Sequence, residues 1–157
     1  MRERNGGLAR LPLVAALVAV ACTVPATAYA APSDGADAGT VLSIVNSERE
    51  SAGCEAVSVD KDLTEAAEKH SADQAERGEM THEGSDGSRT GERATRAGYS
   101  WSEIAENVAA GTRSGERAME LWMESSSHRK NIVNCDLTEM GVAEVDGYWT
   151  QVFATPR

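Results

Sequence analysis

Four side chains in this sequence could support acid–base or metal chemistry: His82, Glu106, Glu124 and His128. They stand in the strings MTHEGSDGS, AENVAAG and LWMESSSHRKN. Imidazoles move protons near neutral pH and bind zinc, and carboxylates serve as bases, ligands or orienting groups. No single local motif unites the four. His82-Glu83 does not open an HExxH zinc motif, because Asp86 stands where the second histidine is required and the segment is too rich in glycine for a helix. Glu124 and His128 are four apart and share a face only if a helix continues through Ser125–Ser127; otherwise His128 falls on a loop. The serines beside His128 lack a G-x-S-x-G elbow, so a serine nucleophile has no support.

Glu106 is the most telling of the four. Ile104–Ala109 reads as a strand, and alternation puts Glu106 on the same face as Ile104 and Val108. A carboxylate between two aliphatics needs a partner, because an unpaired buried charge is costly. The candidates are a histidine, an arginine, backbone N–H groups or a metal. His70 lies on the Leu63, Ala66 and Ala67 face of a predicted helix and reads as a core or boundary histidine outside the site.

These residues must be positioned by the surrounding elements. Apolar spacing predicts helices over 40–52, 62–77, 89–97 and 114–124, with Gly53, Gly78 and Gly98 as stops. Asp62 with Glu65 reads as a capping pair. Strands are expected over 104–109, 139–145 and 148–154, and Asp146-Gly147 is a two-residue hairpin turn. Helices first and a hairpin last indicate an α+β fold, helices packed on an antiparallel sheet.

Residues 1–30 read as an address rather than as part of that fold. Arg2, Arg4 and Arg10 precede a short apolar run from Leu11 to Val24, and Ala28-Tyr29-Ala30 offers a cleavage site after Ala30. The run falls short of the ~20 apolar residues a membrane span needs. Ala19-Val20-Ala21-Cys22 is a loose lipoprotein pattern, so lipid anchoring through Cys22 is the alternative to secretion. Residues 31–39 lack periodicity and are expected as a disordered lead-in to a domain over 40–157.

The whole chain carries a formal net charge of −10, and loss of residues 1–30 removes three Arg and one Glu, leaving about −12. This balance argues against nucleic acid and against general adhesion to anionic membranes. It suits a soluble, monomeric exported domain. Cys54 and Cys135 remain after cleavage, and an even count in an exported chain favours a disulfide between them.

Several strings together resemble the CAP superfamily of cysteine-rich secretory proteins, antigen 5 and pathogenesis-related proteins, in its bacterial secreted form. They are LTEAAEKHS from Leu63, HEGSDGS from His82, AENVA from Ala105, and LWMES from Leu121 followed by HRKNI from His128. MGVA from Met140 and YWTQVF from Tyr148 match the closing strands of that family. The resemblance spans about residues 40–154. It implies an α-β-α sandwich with a central antiparallel sheet and a cavity lined by His82, Glu106, Glu124 and His128. It also implies possible Zn2+ binding through His82 and His128. Three departures from the bacterial pattern stand out: Ala105 replaces the usual glycine before Glu106, Glu124 stands where Asn is common, and Ser125-Ser126-Ser127 replaces a Ser-Pro-Gly run before His128.

Three readings follow from these residues. In the preferred one the domain is a binding or interaction module whose cavity takes a metal or small ligand, with a lipid, a cell-wall component or a protein as surface partner. The alternative is a zinc-dependent, protease-like hydrolase with Glu106 or Glu124 as general base. In the third, the four residues form a buried polar network that specifies the fold.

Overall fold

The computed structural model describes Met1 and residues 34–157. The chain divides into two units, Met1–Ala31 and Pro32–Arg157. The expected leader, its cleavage site and Cys22 lie outside the described residues.

The described elements are helix α1 (Asp34–Ala52), strand β1 (Ser58–Val59), helices α2 (Lys61–Arg77) and α3 (Thr90–Ala97), strand β2 (Trp101–Ala110), helices α4 (Gly115–Glu124) and α5 (Ser126–Ile132), and strands β3 (Glu139–Val145) and β4 (Tyr148–Pro156). The sheet order is β1-β3-β4-β2. β4 pairs antiparallel with both β2 and β3, as the hairpin signal required. Asp146 and Gly147 hold φ of 48° and 84°, the left-handed conformation of a tight hairpin turn. The wholly antiparallel sheet expected from sequence needs one correction. β1 lies parallel to β3, and at two residues it is too short to carry a periodic signal.

Alternation along β4 divides the core into two layers. Trp149 and Phe153 face Val41 and Val45 of α1, Ala118, Met119 and Trp122 of α4, and Ile132 of α5. Val152 and Ala154 face Leu63 and Ala67 of α2 and Ala94 of α3. The result is the expected α+β sandwich of helices on both faces of the sheet. Gly141 on β3 permits the tightest contact, since a Cβ there would lie 2.2 Å from the Leu63 carbonyl carbon and the Thr64 nitrogen.

Several boundaries differ from the expectation. α1 begins at Asp34 rather than Thr40, so part of the expected disordered lead-in is helical. Its early turn is held by packing: Gly115 donates to Asp37 Oδ1 at 3.4 Å, and a Cβ on Gly115 would lie 2.6 Å from the Asp37 carbonyl oxygen. The cap of α2 is Asp60, not Asp62. Asp60 Oδ1 accepts from the Asp62 and Leu63 nitrogens at 2.8 and 3.0 Å, while Glu65 pairs with Lys69 instead. β2 extends from Trp101, longer than the 104–109 expected, because β4 continues to Pro156 opposite it.

Cys54 and Cys135 form the expected disulfide, with Cα atoms 4.9 Å apart. Beside it, Arg49 is 1% exposed and has no carboxylate partner among the described residues. Its guanidinium donates to the carbonyls of Glu55, Ile132, Asn134 and Leu137 at 2.8–3.0 Å. One buried cation therefore ties α1 to the end of α5 and to the chain beyond it. Among the described residues no helix is long and apolar enough to cross a membrane.

Candidate functional site

Glu106 sits on β2 in register with Val152 of β4, which pairs in turn with Gly141 of β3. It therefore faces the α2–α3 layer, and its side chain is 3% exposed. Both oxygens are engaged. His82 Nδ1 lies 2.8 Å from Oε1, and Arg93 Nη2 donates to Oε2 at 2.7 Å. The partner that the strand pattern required is thus a histidine and an arginine together. Burial pushes the carboxyl pKa up, but the His82 hydrogen bond and the Arg93 charge outweigh it, and the pKa falls below its ordinary value. Glu106 is a carboxylate held ionised.

The sequence pattern does not single out Arg93. It sits on α3, a short polar helix, where an arginine looks like a solvated surface residue. Burial reveals its role. Beyond Glu106 it donates to the carbonyl oxygens of Ser88 at 2.7 Å and of His82 at 3.1 Å, so one guanidinium fixes both the carboxylate and the loop that carries His82.

His82 follows the left-handed Gly78 cap of α2. Its side chain is 58% exposed, and the hydrogen bond to Glu106 raises its pKa. It lines an open depression of about 700 Å³ together with Glu106, Arg89, Thr90 and Ile104. His128 is not among the residues lining it.

His128 lies on α5, not on a continuation of α4. α4 ends at Glu124, Ser125 turns the chain in extended conformation, and α5 starts at Ser126. The altered serine run therefore makes a corner. An amide cluster locks this corner to the sheet. Asn107 Nδ2 donates to the His128 carbonyl at 3.2 Å and to Gln151 Oε1 at 3.0 Å. Asn131 Nδ2 donates to Asn107 Oδ1 at 2.9 Å and to the Glu106 carbonyl at 3.2 Å. Asn107 and Asn131 thus position the elements that carry Glu106 and His128. The His128 ring has its Nδ1 buried without a hydrogen-bond partner. Burial lowers its pKa, and the charge on His82 lowers it further.

The structure therefore joins His82 directly to Glu106 and brings His128 within electrostatic reach of His82. Glu124 stands apart: it is exposed at the end of α4 and makes no hydrogen bond or ion pair among the described residues. His70, set aside as a core histidine, is indeed 1% exposed, yet its Nε2 comes within 4.0 Å of Glu106 Oε1. Leu63, Ala66, Ala67 and His70 do share one buried face of α2. What the pattern could not show is that this face meets the side of β2 bearing Glu106.

Can these residues hold a divalent metal? His82 is oriented through Nδ1 by a carboxylate, the arrangement that commonly orients zinc-binding histidines. Glu106 itself is spent on two partners, and among the described residues no group of three or more His, Cys, Asp or Glu is arranged to hold a metal ion. The donor set is two imidazoles, fewer than the three protein ligands of catalytic zinc sites.

The profile of the Cysteine-rich secretory protein family, CAP, matches residues 42–153. The Bacillus subtilis protein YkwD is 31% identical over 115 residues, which are 72% of this chain and 45% of that protein. An extracellular SCP-domain protein of Bacillus anthracis superposes with a TM-score of 0.74 at 26% identity, covering 77% of this chain and 41% of that one. An outer surface protein of Borrelia burgdorferi shares the fold, with a TM-score of 0.72 at 19% identity over 80% of this chain and 96% of that one. The chain spans less than half the length of the Bacillus relatives it matches.

Proposed function

Since the chain belongs to the cysteine-rich secretory protein (CAP) family, we propose that it is a secreted binding module whose ligand contacts the depression at His82, with Glu106 holding that ring and His128 within its electrostatic reach. The observation that carries this reading is the double engagement of Glu106. A general base must reach the proton it abstracts and have a pKa near the working pH. Glu106 is 3% exposed, has one oxygen on His82 and the other on Arg93, and its pKa is lowered. Its role is to hold an exposed imidazole in a fixed orientation. A held, exposed ring beside an open depression suits ligand capture better than bond cleavage. Secretion is supported by the Cys54–Cys135 disulfide, which persists in oxidising compartments, and by the extracellular relative from Bacillus anthracis.

A zinc ion fits this site only as a weakly held guest. His82 and His128 would hold it, with water or the ligand completing its shell. When bound it would supply positive charge for an anionic group of the ligand. The hydrolase alternative needs Glu124 as base, and Glu124 makes no hydrogen bond or ion pair with either histidine among the described residues.

Calorimetric titration of zinc into the protein at neutral pH, beside a His82→Ala/His128→Ala variant, tests the reading. Weak binding lost in the variant supports a two-histidine module. Tight binding accompanied by peptide hydrolysis that Glu124→Gln abolishes would overturn it in favour of the enzyme. A folded protein that binds no zinc and no ligand at this surface would leave the network a purely structural role.

A further inference from the structure

The depression at His82 does not close at Ile104. A second depression, of about 570 Å³, shares Arg89, Gly91 and Ile104 with it, so one trough runs from His82 past Ile104 to Trp101. Its walls come from α3 and β2. Gly91 lets the Trp101 ring lie close against α3, since a Cβ there would lie 2.6 Å from that ring.

Trp101 forms a fixed platform at the far end. Its Nε1 donates to the Gly91 carbonyl at 3.1 Å and to Thr95 Oγ1 at 3.3 Å, and its side chain packs against the α2–α3 core layer. The polar handle is thus spent inside the protein, and the ring offers the trough apolar π surface. A ring held in this way loses little freedom when a ligand stacks on it. Trp122 and Trp149 are 0% exposed, so Trp101 alone of the three tryptophans reaches solvent.

The lining restricts the occupant. A peptide that adds a strand to β2 needs a regular, open edge. β2 is irregular between Trp101 and Glu103, and Asn131 Nδ2 already occupies the Glu106 carbonyl. A docked helix needs a continuous apolar groove, whereas Arg89, Glu92, Thr95 and Arg96 surround Trp101 and Ile104. The charges offset one another. Arg96 pairs with Asp86, Glu92 accepts from the Arg89 nitrogen, and Arg89 shares the lining with Glu83. A neutral ligand with an apolar face and a polar rim meets all these conditions. A sugar ring has that form: its C–H face stacks on an indole, and its hydroxyls bond to guanidinium, carboxylate and hydroxyl groups around it. Two joined depressions call for several sugars in an extended chain.

We propose that the trough binds a neutral, extended, β-linked glycan, with one sugar stacked on Trp101 and the chain running towards His82. This rests on the binding-module reading above and names the ligand class of that same surface.

The test is titration of the full chain with the neutral hexamers chitohexaose and cellohexaose, read by tryptophan fluorescence and by proton NMR of the Trp101 and His82 rings. At least one hexamer is expected to give a saturable change in emission and to shift both rings, with its dimer binding at least about tenfold more weakly. Trp101→Ala should weaken hexamer binding about tenfold by calorimetry, in a protein that still folds. No response to either hexamer overturns the proposal. So does equal affinity for the dimers, a shift at Trp101 without one at His82, or tighter binding of the cationic glucosamine hexamer or of anionic hexagalacturonate. If Trp101→Ala does not fold, Overhauser contacts between hexamer protons and the wild-type Trp101 ring decide instead, and their absence overturns the proposal. Zinc titration separates the two readings: a protein that takes zinc through His82 and His128 but binds neither hexamer overturns this proposal and leaves the module reading standing.

Discussion

Arg93 donates to Glu106 across 2.7 Å with both side chains nearly out of solvent, 8% and 3% exposed. The pair links α3 to β2 and leaves the second Glu106 oxygen to orient His82. Such a pair adds little over an apolar substitute of the same shape, but removing one member strands the other charge. Its value here is positional, because it decides where His82 stands.

Arg93→Ala should therefore destabilise the protein by about 3–5 kcal/mol, read from urea unfolding midpoints. Arg93→Ala combined with Glu106→Leu should recover much of that loss. If the single variant costs nothing, the pair is not buried in solution.

The three imidazoles should titrate apart. His82 is raised above the ordinary 6.5, whereas His70 and His128 are lowered by burial. Glu106→Gln should lower the His82 pKa, and His82→Ala should raise that of His128 without bringing it to 6.5, because burial is the larger cause. NMR titration of the ring protons checks each value.

The same shifts set the acid side of stability. The raised His82 contributes stabilisation that is complete below 6.5 and fades as pH rises through its folded pKa. Glu106, lowered from 4.5, contributes above that value and loses its contribution as pH falls through its folded pKa. Neutral His70 and His128 oppose folding increasingly as pH drops below 6.5. Unfolding midpoints from about pH 8 to about pH 3 should show Glu106→Gln removing part of the loss below pH 4.5.

Gly141→Ala should be among the most damaging single-methyl changes, at about 3 kcal/mol or more. The added carbon meets helix backbone at 2.2 Å, not a side chain that can turn away. Thermal unfolding of this variant against Gly39→Ala, where nothing lies within 4 Å, is the direct comparison.

Replacing Cys54 and Cys135 by serine should cost roughly 4–5 kcal/mol, the chain-entropy value for a loop of this length. The two residues are 81 apart in sequence. The guanidinium of Arg49 already bridges the same region, so the variant should remain folded at low temperature. An unchanged unfolding midpoint would show that the bond constrains little.

Much of the fold could be read from short-range pattern. The faces of α2 and α4, the Asp146-Gly147 turn and the β3–β4 hairpin follow from spacings of two to four residues, which local sterics enforce. The strand alternation at Glu106 required a buried partner, and the cysteine count favoured a bond. The family strings carried His82, Glu106, Glu124 and His128 as candidates. Packing alone decided the rest. Arg93, Arg49 and His70 sit on helices where nothing local separates a buried polar group from a solvated one, and their partners lie on other elements. Ser125 turns the chain between Glu124 and His128, so their separation is set by how α5 docks on Asn107 and not by one continuous helix. Sequence determines what each segment prefers and which side chains need partners. Which partners they get is a property of the assembled layers, because burial and charge pairing exist only once helices and sheet have closed on each other.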